Sequence, residues 1–140
     1  MVYLDTSVVV PLFVTEPASN AVDAWLDAQE VPLMSSDWIV AEFASALSIK
    51  VRRGALGAKL AQAAWKDFED FCRSGLRLVP VGRSAFLLAA DLARDAQSGL
   101  RAGDALHLAV ALETGAADFA TADVQLAAGA EAKGLNVTRF

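Results

Sequence analysis

The chain is 140 residues long, 55% of them hydrophobic, and carries a formal net charge of −5. This length suits one domain, and the apolar fraction is enough for a substantial core, which excludes intrinsic disorder. The acidic balance argues against a protein that holds nucleic acid by bulk electrostatics, because such proteins carry a basic excess.

Cys72 is the only cysteine, so the sequence offers neither a disulfide nor a thiolate metal cluster. No basic leader precedes the first apolar run, and no apolar run reaches the roughly 18 residues that a membrane-spanning helix needs. We therefore expect a soluble, cytoplasmic protein with no membrane attachment.

Short apolar runs with β character alternate along the chain with helical segments. Strands are predicted at Val2–Leu4, Val31–Ser35, Leu76–Val81, Ala117–Thr121 and Asn136–Arg139. The first helix is predicted to end near Val14 and to be shortened or kinked by Pro11. Caps of later helices are predicted at Ser19, at Ser36 with Asp37, and at Asp123. Those later helices are predicted at Ser19–Ala28, Trp38–Arg53, Ala58–Arg73, Ser84–Ala96, Asp104–Leu112 and Asp123–Ala130. The alternation predicts one α/β domain over residues 1–140, with a mostly parallel sheet flanked by helices on both faces.

Four acidic residues stand out by their positions. Asp5 follows the first strand, Asp123 follows the fourth, Asp104 lies in the first turn of an apolar helix, and Glu42 has mostly apolar and small neighbours on its helix. Each has an ordinary explanation: helix capping for the three aspartates and partial exposure for Glu42. Because parallel strands end at one edge of the sheet, where ligands bind, the four together favour a single acidic pocket.

Such a pocket needs a cation. Four ionised carboxylates about 5 Å apart would repel one another by roughly 20 kcal/mol in total at an effective dielectric constant near 20. That sum exceeds the stability of a typical domain, about 5–15 kcal/mol. Ligands that are all oxygen favour Mg²⁺ or Mn²⁺ over zinc, and these ions support phosphodiester hydrolysis by activating water.

Other catalytic sets have less support. His107, the only histidine, is predicted to be a packed structural residue on the apolar face of its helix. No nucleophile elbow, P-loop or dinucleotide-binding turn occurs. The dense basic stretch within residues 50–59 could steer a polyanion, but a solvated helix end explains it more simply.

Several of these segments closely resemble motifs of the PIN-domain family: Tyr3–Ser7, the Glu42 helix, Arg101–Ala109 and Ala120–Asp123. The size and the ending Gly134–Val137 are similar to the VapC-type toxins of that family, the ribonuclease halves of toxin–antitoxin pairs. The resemblance implies a five-stranded parallel sheet in the order 3-2-1-4-5. It also implies the toxin of a type II toxin–antitoxin pair, acting as a Mg²⁺- or Mn²⁺-dependent endoribonuclease.

The resemblance implies a set of site residues at matching positions. Asp5 and Asp104 would be the principal metal ligands, and Glu42 and Asp123 would complete the acidic pocket directly or through water. Hydroxyl side chains that orient carboxylates or water would be those of Thr6, Ser7 and Thr121.

The resemblance also implies partners. These are an RNA substrate, a second copy of the chain in a homodimer, and a VapB-type antitoxin whose tail fills the groove, often with a basic side chain that replaces the cation. No direct DNA binding is expected without the antitoxin.

Two positions depart from the family pattern, and three alternatives stay open. Pro11 stands where such toxins often carry a polar or basic residue, and Val124 and Gln125 stand where a basic pair is common, which removes possible RNA contacts but no ligand. The alternatives are a catalytically silent PIN-like module that binds a partner, a nuclease of the same fold that cuts DNA, and a receiver-like phosphoacceptor. The last of these would need an acidic neighbour beside Asp5, and there is none.

Overall fold

Five short strands form one parallel sheet in the computed structural model, which describes residues 1–140. The strands are β1 (Val2–Leu4), β2 (Leu33–Ser36), β3 (Leu76–Val79), β4 (Asp118–Thr121) and β5 (Asn136–Arg139). Their order across the sheet is β3-β2-β1-β4-β5, and every neighbouring pair is parallel. The predicted α/β class and the strand order implied by the resemblance are both confirmed.

Seven helices connect these strands and cover both faces of the sheet. They are α1 (Thr6–Phe13), α2 (Ser19–Asp27), α3 (Trp38–Arg52), α4 (Ala58–Ser74), α5 (Arg83–Arg94), α6 (Ala102–Glu113) and α7 (Val124–Ala132). Two hydrophobic cores result, one built on α5, α6 and α7 and the other on α1, α3 and α4. None of the helices combines the length and the apolar character needed to cross a lipid bilayer.

The strand β1 lies at the centre of the sheet and is buried on both faces. Tyr3 belongs to one core, while Val2 and Leu4 belong to the other, because successive side chains of a strand alternate between faces. From β1 the chain first adds β2 and β3 on one side and later β4 and β5 on the other. The carboxyl ends of β1 and β4 therefore form a switch point, the place where open α/β sheets bind ligands.

Two predicted caps are wrong. Ser36 belongs to β2 and not to a helix start, because its backbone pairs with Val79 of β3. Asp37 does occupy the N-cap position of α3, although its side chain makes no capping hydrogen bond. Ser19 is the first residue of α2 instead of its cap. Its hydroxyl accepts a hydrogen bond from the backbone N–H of Glu16 at 2.9 Å and donates one to the carbonyl of Pro11 at 2.7 Å. That hydroxyl therefore ties the start of α2 to α1.

Candidate active site

The four predicted acids surround the carboxyl ends of β1 and β4. Asp5 directly follows β1, Asp123 follows β4 by two residues, and Glu42 and Asp104 lie in the first halves of α3 and α6. Their charges act on one another: Asp104 raises the pKa of Asp5, and both Asp123 and Glu42 raise the pKa of Asp104. The fold therefore places the four carboxylates in one electrostatic neighbourhood.

Asp5 is a buried acid and not a helix cap. Its side chain is 3% exposed and makes no capping hydrogen bond to α1. Its Oδ1 accepts a hydrogen bond from the Ser7 hydroxyl at 2.7 Å, and its Oδ2 accepts one from the Thr121 hydroxyl at 3.1 Å. Burial raises the pKa of Asp5 to about 6, with the Asp104 charge adding to the rise and His107 and the two hydroxyls opposing it.

The same two hydroxyls join the ends of β1 and β4. The Ser7 Oγ accepts a hydrogen bond from the backbone N–H of Ala122 at 2.8 Å, and the Thr121 Oγ1 accepts one from the backbone N–H of Asp123 at 3.0 Å. Each hydroxyl thus accepts a hydrogen bond from a backbone N–H that follows β4 and donates one to the carboxylate of Asp5. This arrangement fixes the orientation of the carboxylate relative to both strands.

Glu42 is held by a different pair of donors. Its Oε1 accepts hydrogen bonds from the Thr6 hydroxyl at 2.7 Å and from the Nε2 of His107 at 2.5 Å. Burial raises the pKa of Glu42, but the bonds from His107 and Thr6 outweigh it, so the pKa lies below its ordinary value. The other oxygen, Oε2, faces Gly103, where an added Cβ would lie only 3.0 Å away.

The indole N–H of Trp38 lies beside this oxygen. A Cβ on Gly103 would lie 3.4 Å from the Trp38 Nε1, and the indole helps to lower the pKa of Glu42. This Nε1 is nevertheless buried without a hydrogen-bond partner, because it does not reach the carboxylate at hydrogen-bonding geometry. No other buried side-chain nitrogen or oxygen lacks a hydrogen-bond partner.

Sequence reasoning missed the role of His107. The side chain is 1% exposed, as its place on an apolar helix face predicted, yet both of its ring nitrogens have hydrogen-bond partners. Its Nδ1 lies 2.9 Å from the Tyr3 hydroxyl, and its Nε2 contacts Glu42. One signal was available: His107 follows Asp104 by three residues, so both lie on the same side of α6.

The remaining two acids differ in what they contact. Asp104 is the third residue of α6, which begins at Ala102, two residues before the predicted start. Burial raises the pKa of Asp104, and no Lys or Arg forms an ion pair with it. Asp123 is the N-cap of α7, with its Oδ1 accepting the backbone N–H of Leu126 at 2.8 Å, so the predicted cap is confirmed.

The chemistry of these side chains fits a hard cation, although they are not gathered around one. No Lys or Arg forms an ion pair with any of the four carboxylates, and burial raises the pKa values of Asp5 and Asp104 by more than their neighbours lower them. No three Asp, Glu, His or Cys side chains lie close enough together to form a metal-binding group. Coordination would therefore require the carboxylates to draw together.

Known proteins share this sequence pattern and this fold. The family model of the PIN domain matches residues 2–132. Ribonuclease VapC45 of Mycobacterium tuberculosis (strain CDC 1551 / Oshkosh) is 34% identical over 139 residues, which are 98% of this chain and 94% of the relative. The chain belongs to the PIN-domain family and is of the VapC type.

Solved structures of the family share the fold at lower identity. The crystal structure of Mycobacterium tuberculosis VapC20, a toxin that cleaves the sarcin-ricin loop, matches with a TM-score of 0.72 at 20% identity and covers 91% of this chain and 94% of that one. The structure of VapBC2 from Rickettsia felis, bound to a DNA fragment from their promoter, matches with a TM-score of 0.69 at 19% identity. It covers 99% of this chain and 98% of that one.

Proposed function

We propose that this VapC-type protein is the toxin of a type II toxin–antitoxin pair and acts as a metal-dependent endoribonuclease, with residues 1–140 forming one ribonuclease domain. The observation that carries the proposal is the buried carboxylate of Asp5 at the switch point of the sheet. Other acids surround it, and no basic side chain pairs with it. The ribonuclease named among its relatives supports the choice of substrate.

The four acids would hold the metal. Asp5 and Asp104 would be the principal ligands, and Glu42 and Asp123 would act directly or through water. A bound Mg²⁺ or Mn²⁺ would activate water and neutralise charge on the phosphate during phosphodiester hydrolysis. Oxygen donors alone suit these ions better than zinc.

The neighbouring side chains fix how these carboxylates point. Ser7 and Thr121 each donate to a different oxygen of Asp5, so the carboxylate is held in one plane. Thr6 donates to Oε1 of Glu42 and leaves Oε2 without a hydrogen bond from it. Such outer partners preserve ligand geometry when the ligands themselves are charged and repel one another.

The proposed partners are those that membership of the VapC type implies. We propose an RNA substrate, a homodimer, and a VapB-type antitoxin in the cytoplasm, with no direct DNA binding by this chain without the antitoxin. The match to the Rickettsia felis VapBC2 complex supports an antitoxin partner. An Arg or Lys from that antitoxin would place a positive charge in the acidic pocket and so inhibit the enzyme in place of the cation.

Cleavage assays with a matched pair of variants test the proposal. Asp104→Asn removes one charge from the pocket, while Asp91→Asn removes one from an exposed position on α5. With Mg²⁺ or Mn²⁺, the wild type and Asp91→Asn should cleave structured RNA, and Asp104→Asn should lose at least about 100-fold in rate. EDTA should abolish cleavage by all three.

Two results would contradict the proposal. A wild type that is inert on every RNA but still binds its antitoxin would favour the silent binding module. Cleavage of single-stranded DNA in preference to RNA of the same sequence would favour the nuclease that cuts DNA.

A further inference from the structure

A buried chain of polar side chains runs from the central strand to Glu42. The hydroxyl of Tyr3, on β1, lies 2.9 Å from Nδ1 of His107, and the Nε2 of that ring contacts Oε1 of Glu42. Tyr3 and His107 are 0% and 1% exposed. Three elements, β1, α6 and α3, are thereby joined through one imidazole ring.

The hydrogen-bond roles can be assigned from the donors and acceptors present. A carboxylate oxygen only accepts, so the Nε2 of His107 must carry the proton of its bond to Glu42. The Tyr3 hydroxyl donates to the hydroxyl of Ser36 at 3.2 Å, and its oxygen lies 2.9 Å from Nδ1 of His107. Tyr3 therefore fixes which way the imidazole faces, and the imidazole fixes the carboxylate.

Two donors from different helices converge on the same carboxylate oxygen. Thr6, on α1, donates to Oε1 of Glu42 at 2.7 Å, and its hydroxyl lies 3.2 Å from the Nε2 of His107. With Oε1 held from two sides, the position of Oε2 beside Gly103 is determined as well. That second oxygen faces the first turn of α6, the turn that carries Asp104.

We propose that Tyr3 and His107 are positioning residues that fix Glu42 through Oε1, so that Oε2 is presented toward Asp104 as a ligand for the divalent cation. The assignment rests on the proposed function, because it gives Glu42 a place among the metal ligands. Packing alone does not account for the pair. The buried neighbours of His107 on α6, such as Leu106 and Leu108, are apolar, and a leucine at this position would need no hydrogen-bond partner.

A spectroscopic measurement tests the bond directly. His107 is the only histidine, so a ¹⁵N-histidine-labelled sample of the full chain contains a single imidazole. Long-range ¹H–¹⁵N correlation spectra should show Nε2 protonated in the wild type. An unprotonated Nε2 would overturn the proposal whether or not the protein binds metal.

Three variants test the consequence for metal binding. His107→Leu keeps the apolar packing and removes the donor, whereas His107→Gln places an amide N–H near the former Nε2. Tyr3→Phe keeps the ring, which stacks on Phe119, and removes only the hydroxyl. In titrations with Mn²⁺ alone, His107→Leu should weaken binding about 10- to 100-fold. His107→Gln should recover most of that loss, and Tyr3→Phe should fall between.

Phe119→Leu provides the control for a merely structural effect. It removes the stacking partner of Tyr3 from the core without contacting Glu42. Its unfolding temperature should fall while its Mn²⁺ affinity stays within about twofold of the wild type. If affinity instead falls in proportion to stability across all four variants, or if His107→Leu binds Mn²⁺ as the wild type does, the positioning role is refuted. A wild type that binds no Mn²⁺ and cleaves no RNA refutes the proposed function itself.

Discussion

Replacing Asp5 by asparagine should stabilise the metal-free protein at neutral pH while abolishing its activity. In the folded chain burial raises the pKa of Asp5 from its ordinary value of 3.8 to about 6. A shift of roughly two pKa units corresponds to about 3 kcal/mol between the ionised and the protonated state. An asparagine has nearly the same shape and carries no charge, so it avoids this cost.

The sign of the pH dependence follows from the direction of the shift. Because the folded-state pKa of Asp5 is the higher one, its favourable contribution is complete below the unfolded value of 3.8 and is lost as pH rises through about 6. The stability difference between Asp5→Asn and the wild type should therefore be small near pH 4 and reach up to about 3 kcal/mol near pH 8. The pKa of Asp104 is raised as well, so this residue adds to the loss of wild-type stability as the pH rises.

Urea denaturation in EDTA at about pH 4, 6 and 8 measures this difference, with Asp91→Asn as the control for removing an exposed charge. Adding Mn²⁺ at pH 8 should stabilise the wild type and not Asp5→Asn, since only a ligand that binds the folded state raises its stability. If Asp5→Asn is no more stable than the wild type at pH 8 in EDTA, the buried-charge argument is wrong. A loss of stability that is constant across pH would show that the hydrogen bonds from the two hydroxyls matter more than the charge.

Three further predictions concern the surroundings of this carboxylate. Gly103→Ala should leave the helix intact but displace Glu42, because its Oε2 would lie 3.0 Å from the new Cβ. Mn²⁺ affinity and RNA cleavage should then fall at least about tenfold, while the melting temperature stays near the wild-type value. Asp123→Asn should keep the helix cap and the stability while lowering cleavage, whereas Asp123→Ala should also lose about 1 kcal/mol in urea denaturation; equal stability of the two would contradict the capping role. Ser7→Ala removes a donor to Asp5 and an acceptor for a backbone N–H, and should cost about 1–3 kcal/mol by the same measurement.

Much of the fold follows from local pattern. The run Val2–Leu4 is apolar at every position because β1 is covered on both faces, and such a run predicts a buried strand. Once the alternation of strands and helices indicated a parallel sheet, Asp5 and Asp123 had to approach the same edge. The start of α6 was harder, because Arg101 is extended and serves as its N-cap without a capping side chain.

The partners of each acid could not be predicted in the same way. Asp5 occupies the N-cap position of α1, where local chemistry favours capping, yet its carboxylate bonds to Ser7 and to the distant Thr121. The bond between Glu42 and His107 joins residues 65 positions apart on different helices. Such contacts depend on how helices pack across the sheet, and a single sequence records only which residues are available to make them.

The bond between Thr121 and Asp5 has a consequence for the time at which the chain becomes competent during its synthesis. The two residues are 116 positions apart, and β1 can acquire β4 as a neighbour only after the residues between them have been made. Domains emerge from the ribosome from the amino terminus, and distant pairings form late because the intervening loop must first close. Asp5 is thus translated long before Thr121 but is held in its final orientation only once β4 has joined the sheet, so a chain that stops short of β4 carries this carboxylate without the hydrogen bond from Thr121.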